Sequence, residues 1–309
     1  MSAVPLSPSL SFGLAGCGRW GLLVLRDLRA LGVSVVVADP SAQARAAAEA
    51  LGVSTVDRIE ALPPVEALVV ATPAVTHTEV VEALLPRGVP MLVEKPFTTD
   101  VGEAERLVAA GGDRLFVGHV WRYHPGVEML GAMARSGEIG PIAGLKSTRA
   151  NWTSPRTDVD SVWNLAPHDL TLAIEILGHI PTPRAAIAEV HDGHAVGLSA
   201  LLGDTPWLSF DVSNRYRDKR REVRLHGRDG VAVMRDPDAG QIELTRGGIG
   251  APGTPAVELR DYSRESALRR QLMAFIGAVR GGPPPKSNAA EGLAVIRALV
   301  RLRDLAGLA

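Results

Sequence analysis

Cysteine is almost missing from this chain. Cys17 stands alone, so no internal disulfide can form, and the expected home is a reducing compartment, the cytoplasm. No apolar run approaches the ~18 residues that suggest a membrane span. The opening MSAVPLSPSL lacks the basic and apolar regions of a signal peptide. Neither sign of charge is in excess, since 33 basic and 34 acidic residues leave a formal charge of −1. That balance argues against a sequence-independent nucleic-acid binder, which needs surplus cations to displace counterions. Lysine is scarce, occurring only at 95, 146, 219 and 286. Arginine clusters therefore carry less weight than usual, and a retained lysine slightly more. His191 and His194 have no cysteine or acid at metal spacing, so no metal is expected. Asn151-Trp152-Thr153 spells a glycosylation sequon by letters only.

What is present reads as a two-domain α/β protein. The 309 residues exceed the usual ~100–200 of one domain, and apolar and charged contents of 46% and 22% are ordinary for a globular chain. Residues 10–14, 34–39, 67–73, 91–96 and 114–120 read as strands, rich in the β-branched runs of a buried parallel sheet. Helical spacing separates them over 19–31, 42–51, 77–85 and 99–110. This alternation predicts a doubly wound parallel sheet with right-handed crossovers. Near residue 121 the rhythm changes. A helix over 126–136, a strand over 142–152 and a helix over 168–177 precede an extended region, 184–260, that predicts an antiparallel sheet. Helices over 264–280 and 289–307 close the chain. The expected domains are residues 1–121 and 122–309, with no internal repeat and no disordered tail beyond the first eight residues or so.

Gly16-Cys17-Gly18-Arg19-Trp20-Gly21 is a G-x-G-x-x-G run placed between a strand and a helix. Gly16 permits the tight turn, Gly18 lets a pyrophosphate approach the backbone, and Gly21 allows close helix–strand packing. The helix N-terminus then offers free N–H groups to phosphates. Asp39 follows at the end of the next strand, positioned for an adenosine ribose. An acid there favours NAD, because it accepts from a free 2′-hydroxyl and repels the 2′-phosphate of NADP; Arg45 could offset that. Cys17 reads most simply as a small loop residue, since no base is adjacent.

Four motifs follow in order: Gly16–Gly21 with Asp39, Thr72-Pro73-Ala74-Val75-Thr76-His77, Glu94-Lys95-Pro96, and Gly118-His119-Val120-Trp121-Arg122-Tyr123-His124-Pro125. Together they resemble the glucose–fructose oxidoreductase, inositol dehydrogenase and MocA (Gfo/Idh/MocA) family. The resemblance continues more loosely through Trp163–Leu170 and Ser287–Gly292. It implies a Rossmann domain followed by an α/β domain with a large, open, mainly antiparallel sheet that commonly mediates dimers or tetramers. It implies an NAD(P)-dependent oxidoreductase acting on a hydroxyl or ketone of a sugar, cyclitol or nucleotide sugar. Residues 16–21, Asp39, Thr72, Pro73, His77, Glu94 and Lys95 would hold the dinucleotide. Lys95, His119, Arg122, Tyr123, Trp163, Asn164 and His168 would meet the substrate.

Lys95 would contact the reacting hydroxyl, where an ammonium stabilises alkoxide-like oxygen. His168 aligns with the catalytic histidine, an imidazole suited to take the hydroxyl proton. The family usually has aspartate four residues before that histidine and three after it. Here Asn164 and Thr171 stand there, with Asp169 beside His168. The W-N-L-A-P-H-D-L wording is similar to members acting on nucleotide sugars. His77 would lie beside the nicotinamide, although an ordinary first-turn helix position is nearly as apt. Trp121 suits junction packing, and Trp152 and Trp163 suit either a sugar face or, more often, a core. The run Arg215–Arg221 fits a nucleotide diphosphate less readily than a solvated strand or edge. Rival readings on the same fold are a trans-dihydrodiol or biliverdin-type reductase and a non-catalytic dinucleotide sensor. Retention of both Lys95 and His168 favours an enzyme.

Overall fold

The computed structural model describes residues 10–152, 158–247 and 256–308. Thr153 of the sequon and most of the N-terminal segment lie outside them. Contacts divide the chain into two compact units. One runs to Gly118 and regains Leu268–Leu293; the other holds His119–Ala267 and the residues from Ala294 onward.

In the first unit, six parallel strands are laid down as β1 (Ser11–Ala15), β2 (Ser34–Ala38), β3 (Ser54–Val56), β4 (Ala67–Val70), β5 (Met91–Glu94) and β6 (Leu115–Gly118). They stand in the order β3-β2-β1-β4-β5-β6. Every residue of β4, β5 and β6 is buried, as continuous apolar runs in a sheet covered on both faces should be. The short edge strand β3 has no apolar run to announce it. Between the strands lie α1 (Arg19–Ala30), α2 (Ala42–Glu49), α3 (His77–Leu84) and α4 (Val101–Gly111). Ser41 and Asp100 cap α2 and α4 by accepting from Ala44 N and Glu103 N. The order reverses between β1 and β4, a topological switch point where open α/β sheets bind ligands.

The later helix α7 (Ala267–Val279) returns most of its length to this unit, which the change of pattern near residue 121 does not reveal. Its Phe275 packs edge-on against Phe12 and Phe116, with ring centroids 5.6 and 6.1 Å apart. Apolar burial thus overrides chain order.

The second unit contains α5 (Pro125–Ser136), β7 (Ile142–Trp152), α6 (Ser161–Leu177) and seven further strands: β8 (Pro183–His191), β9 (His194–Leu202), β10 (Trp207–Ser213), β11 (Arg215–Gly227), β12 (Gly230–Met234), β13 (Gln241–Arg246) and β14 (Val257–Asp261). The last helix, α8 (Ala289–Leu305), follows. The eight strands form one sheet, β14-β13-β12-β11-β7-β10-β9-β8, antiparallel except where β10 runs parallel to β7. Helix α6 begins seven residues earlier than its pattern suggests. Pro167 reads as a break, yet it sits inside the helix. It removes one hydrogen bond to Trp163 O, while Asp160 caps the start by accepting from Val162 N and Trp163 N. No described helix is long and apolar enough to cross a membrane.

Candidate active site

The glycine-rich loop turns sharply after β1. Gly16 has φ +89, and a Cβ there would lie 2.7 Å from the Ala71 carbonyl oxygen. At Gly21 it would lie 2.2 Å from the Gly16 carbonyl oxygen. Both positions are closed to any side chain. Gly18 differs: its Cβ would meet nothing within 4 Å. The loop is therefore packed from below and open at the N-terminus of α1. No side chain caps that terminus, and no acid occupies its first turn. The first amides of a helix lack intrahelical acceptors, and the dipole favours an anion there. Arg19 and Trp20 are exposed beside the opening. These residues fit the diphosphate of a dinucleotide.

Asp39 is buried at the end of β2. Its Oδ2 accepts from Cys17 N at 2.7 Å and its Oδ1 from Ser41 N at 2.8 Å. The acid thus ties the glycine loop to its own strand. Each oxygen keeps a second lone pair for a hydroxyl. The Arg45 guanidinium donates to the carbonyls of Asp39 and Pro40 at 2.8 and 2.9 Å. Burial, with the Asp39 carboxylate alongside, pushes the Cys17 thiol up, which suits a packed loop residue and not a nucleophile.

Thr72 and Pro73 follow β4, opposite the glycine loop, and the Thr72 hydroxyl accepts from Thr76 at 3.0 Å. His77 is buried, with its ring nitrogens 2.8 Å from the Pro96 carbonyl oxygen and 3.0 Å from that of Thr72. A neutral imidazole donates to one of these, a protonated one to both. The ring links the loops that follow β4 and β5. Glu94 ends β5 facing Gly118, where a Cβ would come within 2.8 Å of its Oε1. Lys95 stands next, half-buried, and the Lys95–Pro96 peptide is cis. The C-terminal ends of β1, β2, β4 and β5 thereby gather every residue of this unit that sequence reasoning assigned to the cofactor.

In the second unit, α6 is buried almost throughout. From Ser161 to Ala173 only Asn164 and His168 are partly open. They lie four residues apart, on one helix face. Trp163 is buried, with the Arg303 guanidinium 5.3 Å from its ring centroid. Arg303 also bonds the capping Asp160 at 2.6 Å. Trp163 is thus a packing residue at the helix start. Arg122 pairs with Glu175 at 3.3 Å, and His119 and Tyr123 are buried.

Asp169 is tied to Arg149. Adjacent helical residues point apart, and its Oδ2 accepts from Arg149 Nε at 2.9 Å. Both partners are buried, and losing either would strand a charge at a cost of about 3–5 kcal/mol. Arg149 also stacks 4.2 Å from the Trp121 ring centroid. His168 meets the same indole edge-on at 6.4 Å, and His124 stacks on it at 5.1 Å. Trp121 is therefore the wall against which His168 is set. Sequence reasoning left Arg149 out. The signal was its place in the period-two alternation of β7, beside buried Leu145 and Ser147, where a lone charge demands a partner.

The Arg-rich run opens β11, an interior strand. Only Val223–Gly227 pairs with β12, so the earlier half is locally an edge. Arg215–Arg220 are exposed, with a register irregularity between Arg215 and Arg220. Trp152 is exposed as well, and Arg215 lies 5.8 Å from its ring centroid.

Comparison with known proteins agrees with this layout. Residues 10–119 match the Gfo/Idh/MocA model, described as an oxidoreductase family with an NAD-binding Rossmann fold. UDP-N-acetylglucosamine 3-dehydrogenase of Acidithiobacillus ferrooxidans is 28% identical, over 94% of this chain and 95% of that protein. Inositol 2-dehydrogenase of Rhizobium meliloti is 27% identical, over 93% and 94%. The solved structure of the Acidithiobacillus enzyme superposes with a TM-score of 0.83, at 24% identity, over 97% and 98% of the two chains. That likeness shows the two-part fold.

Proposed function

The chain belongs to the Gfo/Idh/MocA oxidoreductase family, and from that premise we propose that it is a dehydrogenase or reductase of a sugar nucleotide that prefers NAD. The observation that carries the reading is the survival of a proton-handling pair in two well-built places. Lys95 closes β5 at the mouth of the sheet, and His168 is one of two partly open positions on buried α6. A bound nicotinamide dinucleotide supplies the hydride acceptor or donor. Lys95 holds the substrate oxygen and stabilises its developing negative charge. His168 takes the hydroxyl proton during oxidation and returns it during reduction. Asn164 offers a donor and an acceptor, without charge, to a neighbouring substrate oxygen.

Two features refine the substrate and cofactor. The Trp163–Leu170 wording favours a sugar nucleotide, whose handle supplies remote binding energy for use at the reacting carbon. Asp39 favours NAD, because a 2′-phosphate would meet a buried carboxylate, while Arg45 beside it softens the discrimination. One assay grid tests both, with NAD and NADP against UDP- and dTDP-sugars, free hexoses and inositols. The expected result is the highest kcat/KM for a sugar nucleotide with NAD, exceeding NADP by at least about tenfold, a step of 1.4 kcal/mol. An equal or higher value with NADP overturns the cofactor assignment. Turnover of a free polyol alone overturns the substrate assignment.

The second unit also suggests self-association. Leu201, Ser209, Lys146, Arg224, Val233, Glu243 and Leu259 form one cross-strand row. Its end residues, Leu201 and Leu259, are exposed, as is Ile187 on the same face. Covering this face with a second copy would give a cytoplasmic homodimer or homotetramer. Sedimentation equilibrium should show such an assembly at micromolar concentration; a monomer there removes it.

A further inference from the structure

Arg221 is the side chain least explained by the fold. In the antiparallel pairing of β11 with β7 it stands directly opposite Arg149. Like charges in that position repel. Asp169 balances Arg149, but among the described residues Arg221 has no hydrogen bond and no ion pair. It is half-buried, and its guanidinium lies 5.9 Å from the Trp121 ring centroid. The indole it faces is the one that carries Arg149 and His168. Burial, then the Arg149 charge, pushes the Arg221 pKa down, and the carboxylates of Asp238, Asp169 and Asp236 offset this only in part.

A second polar group shares this face. Asn151 lies two residues beyond Arg149 on β7, and alternation puts both side chains on one side of the sheet. Its Oδ1 is buried without a hydrogen-bond partner. An open acceptor on this face and a half-buried guanidinium without a hydrogen bond, whose carboxylates Asp169, Asp236 and Asp238 act only through space, suit a ligand with hydroxyl donors and negative charge. Exposed Arg215–Arg220 make no such demand, because water serves them.

We propose that Arg221 binds an anionic oxygen group of the substrate, a carboxylate or a phosphoryl, while Asn151 accepts from a sugar hydroxyl. The assignment rests on the oxidoreductase reading for its substrate, but its first test needs no turnover. The full-length protein is titrated calorimetrically with UDP, glucose 1-phosphate, glucuronate and glucose. Wild type should bind at least one anion more tightly than glucose. Arg221→Gln should weaken that anion by about 10–100-fold, the range for a hydrogen bond to a charged group. Arg221→Lys should recover part of the loss, since it keeps charge but not the planar fork. The anion bound separates a diphosphate, a monophosphate and a carboxylate source. Matching thermal melts exclude misfolding, and if Arg221→Gln does not fold, Arg221→Lys must still weaken the anion several-fold. Binding no anion, or binding it equally in the variants, overturns the proposal even if NAD reduction proceeds with a neutral sugar. Anion binding lost in Arg221→Gln, with no dinucleotide-linked turnover of any sugar, leaves the site standing and overturns the enzymatic reading instead.

Discussion

Replacing Lys95 by methionine is expected to lower turnover by about 10²–10³-fold, the usual cost of removing one group that stabilises developing charge, while nicotinamide-dinucleotide binding persists. Methionine keeps a flexible apolar stem of similar length and loses only the ammonium. The Lys95 backbone continues from β5, and the adjoining loop is held by His77 on Pro96, a contact the substitution does not touch. Asp39 and the amides at the start of α1 are equally unaffected. Dinucleotide fluorescence titration should therefore still register binding, with the larger part of the deficit in kcat/KM. Unchanged turnover would make Lys95 a surface lysine whose stem lies along the protein and whose charge is solvated.

His168→Ala should remove more, about 10²–10⁴-fold, as expected for loss of a positioned acid–base group. The pH profile discriminates. Only neutral imidazole can take the hydroxyl proton, so kcat/KM for oxidation should rise with pH through the histidine ionisation and then level. His168→Ala should abolish that rise. Asn164→Asp should shift it upward, because a carboxylate one turn away favours imidazolium. A general loss of packing would lower the rate without moving the profile. If His168→Ala retains both rate and profile, another group is the base.

Much of the first unit was legible because its signals are local. A β-branched run, a glycine at a forced turn and an acid at a strand end each occupy a few neighbouring residues. The second unit was harder. The early start of α6 was hidden by Pro167, since a helix that buries nearly every side chain can tolerate one lost backbone bond. The return of α7 to the first unit depends on Phe275 meeting rings at positions 12 and 116, a pairing without sequence proximity. His168 was singled out through motif order, Trp121 was read as packing and Arg221 only as part of a charged run, and Arg149 was left out. Their meeting is set by the register of β7 with β11, and register is decided by the assembled sheet. Asp169 illustrates the same limit: adjacent to His168 in sequence, it is turned toward Arg149 in space.

The burial of α6 bears on any attempt to give this protein a new substrate. Over its first three turns the helix offers two editable letters, Asn164 and His168, and the second is the proposed proton-transfer group. Libraries spread along the helix would consist mostly of unfolded variants, because deleting a fully buried large side chain costs about 2–5 kcal/mol. A productive search would hold the helix constant, vary residue 164, and place the remaining diversity at positions 151 and 221 on the strands.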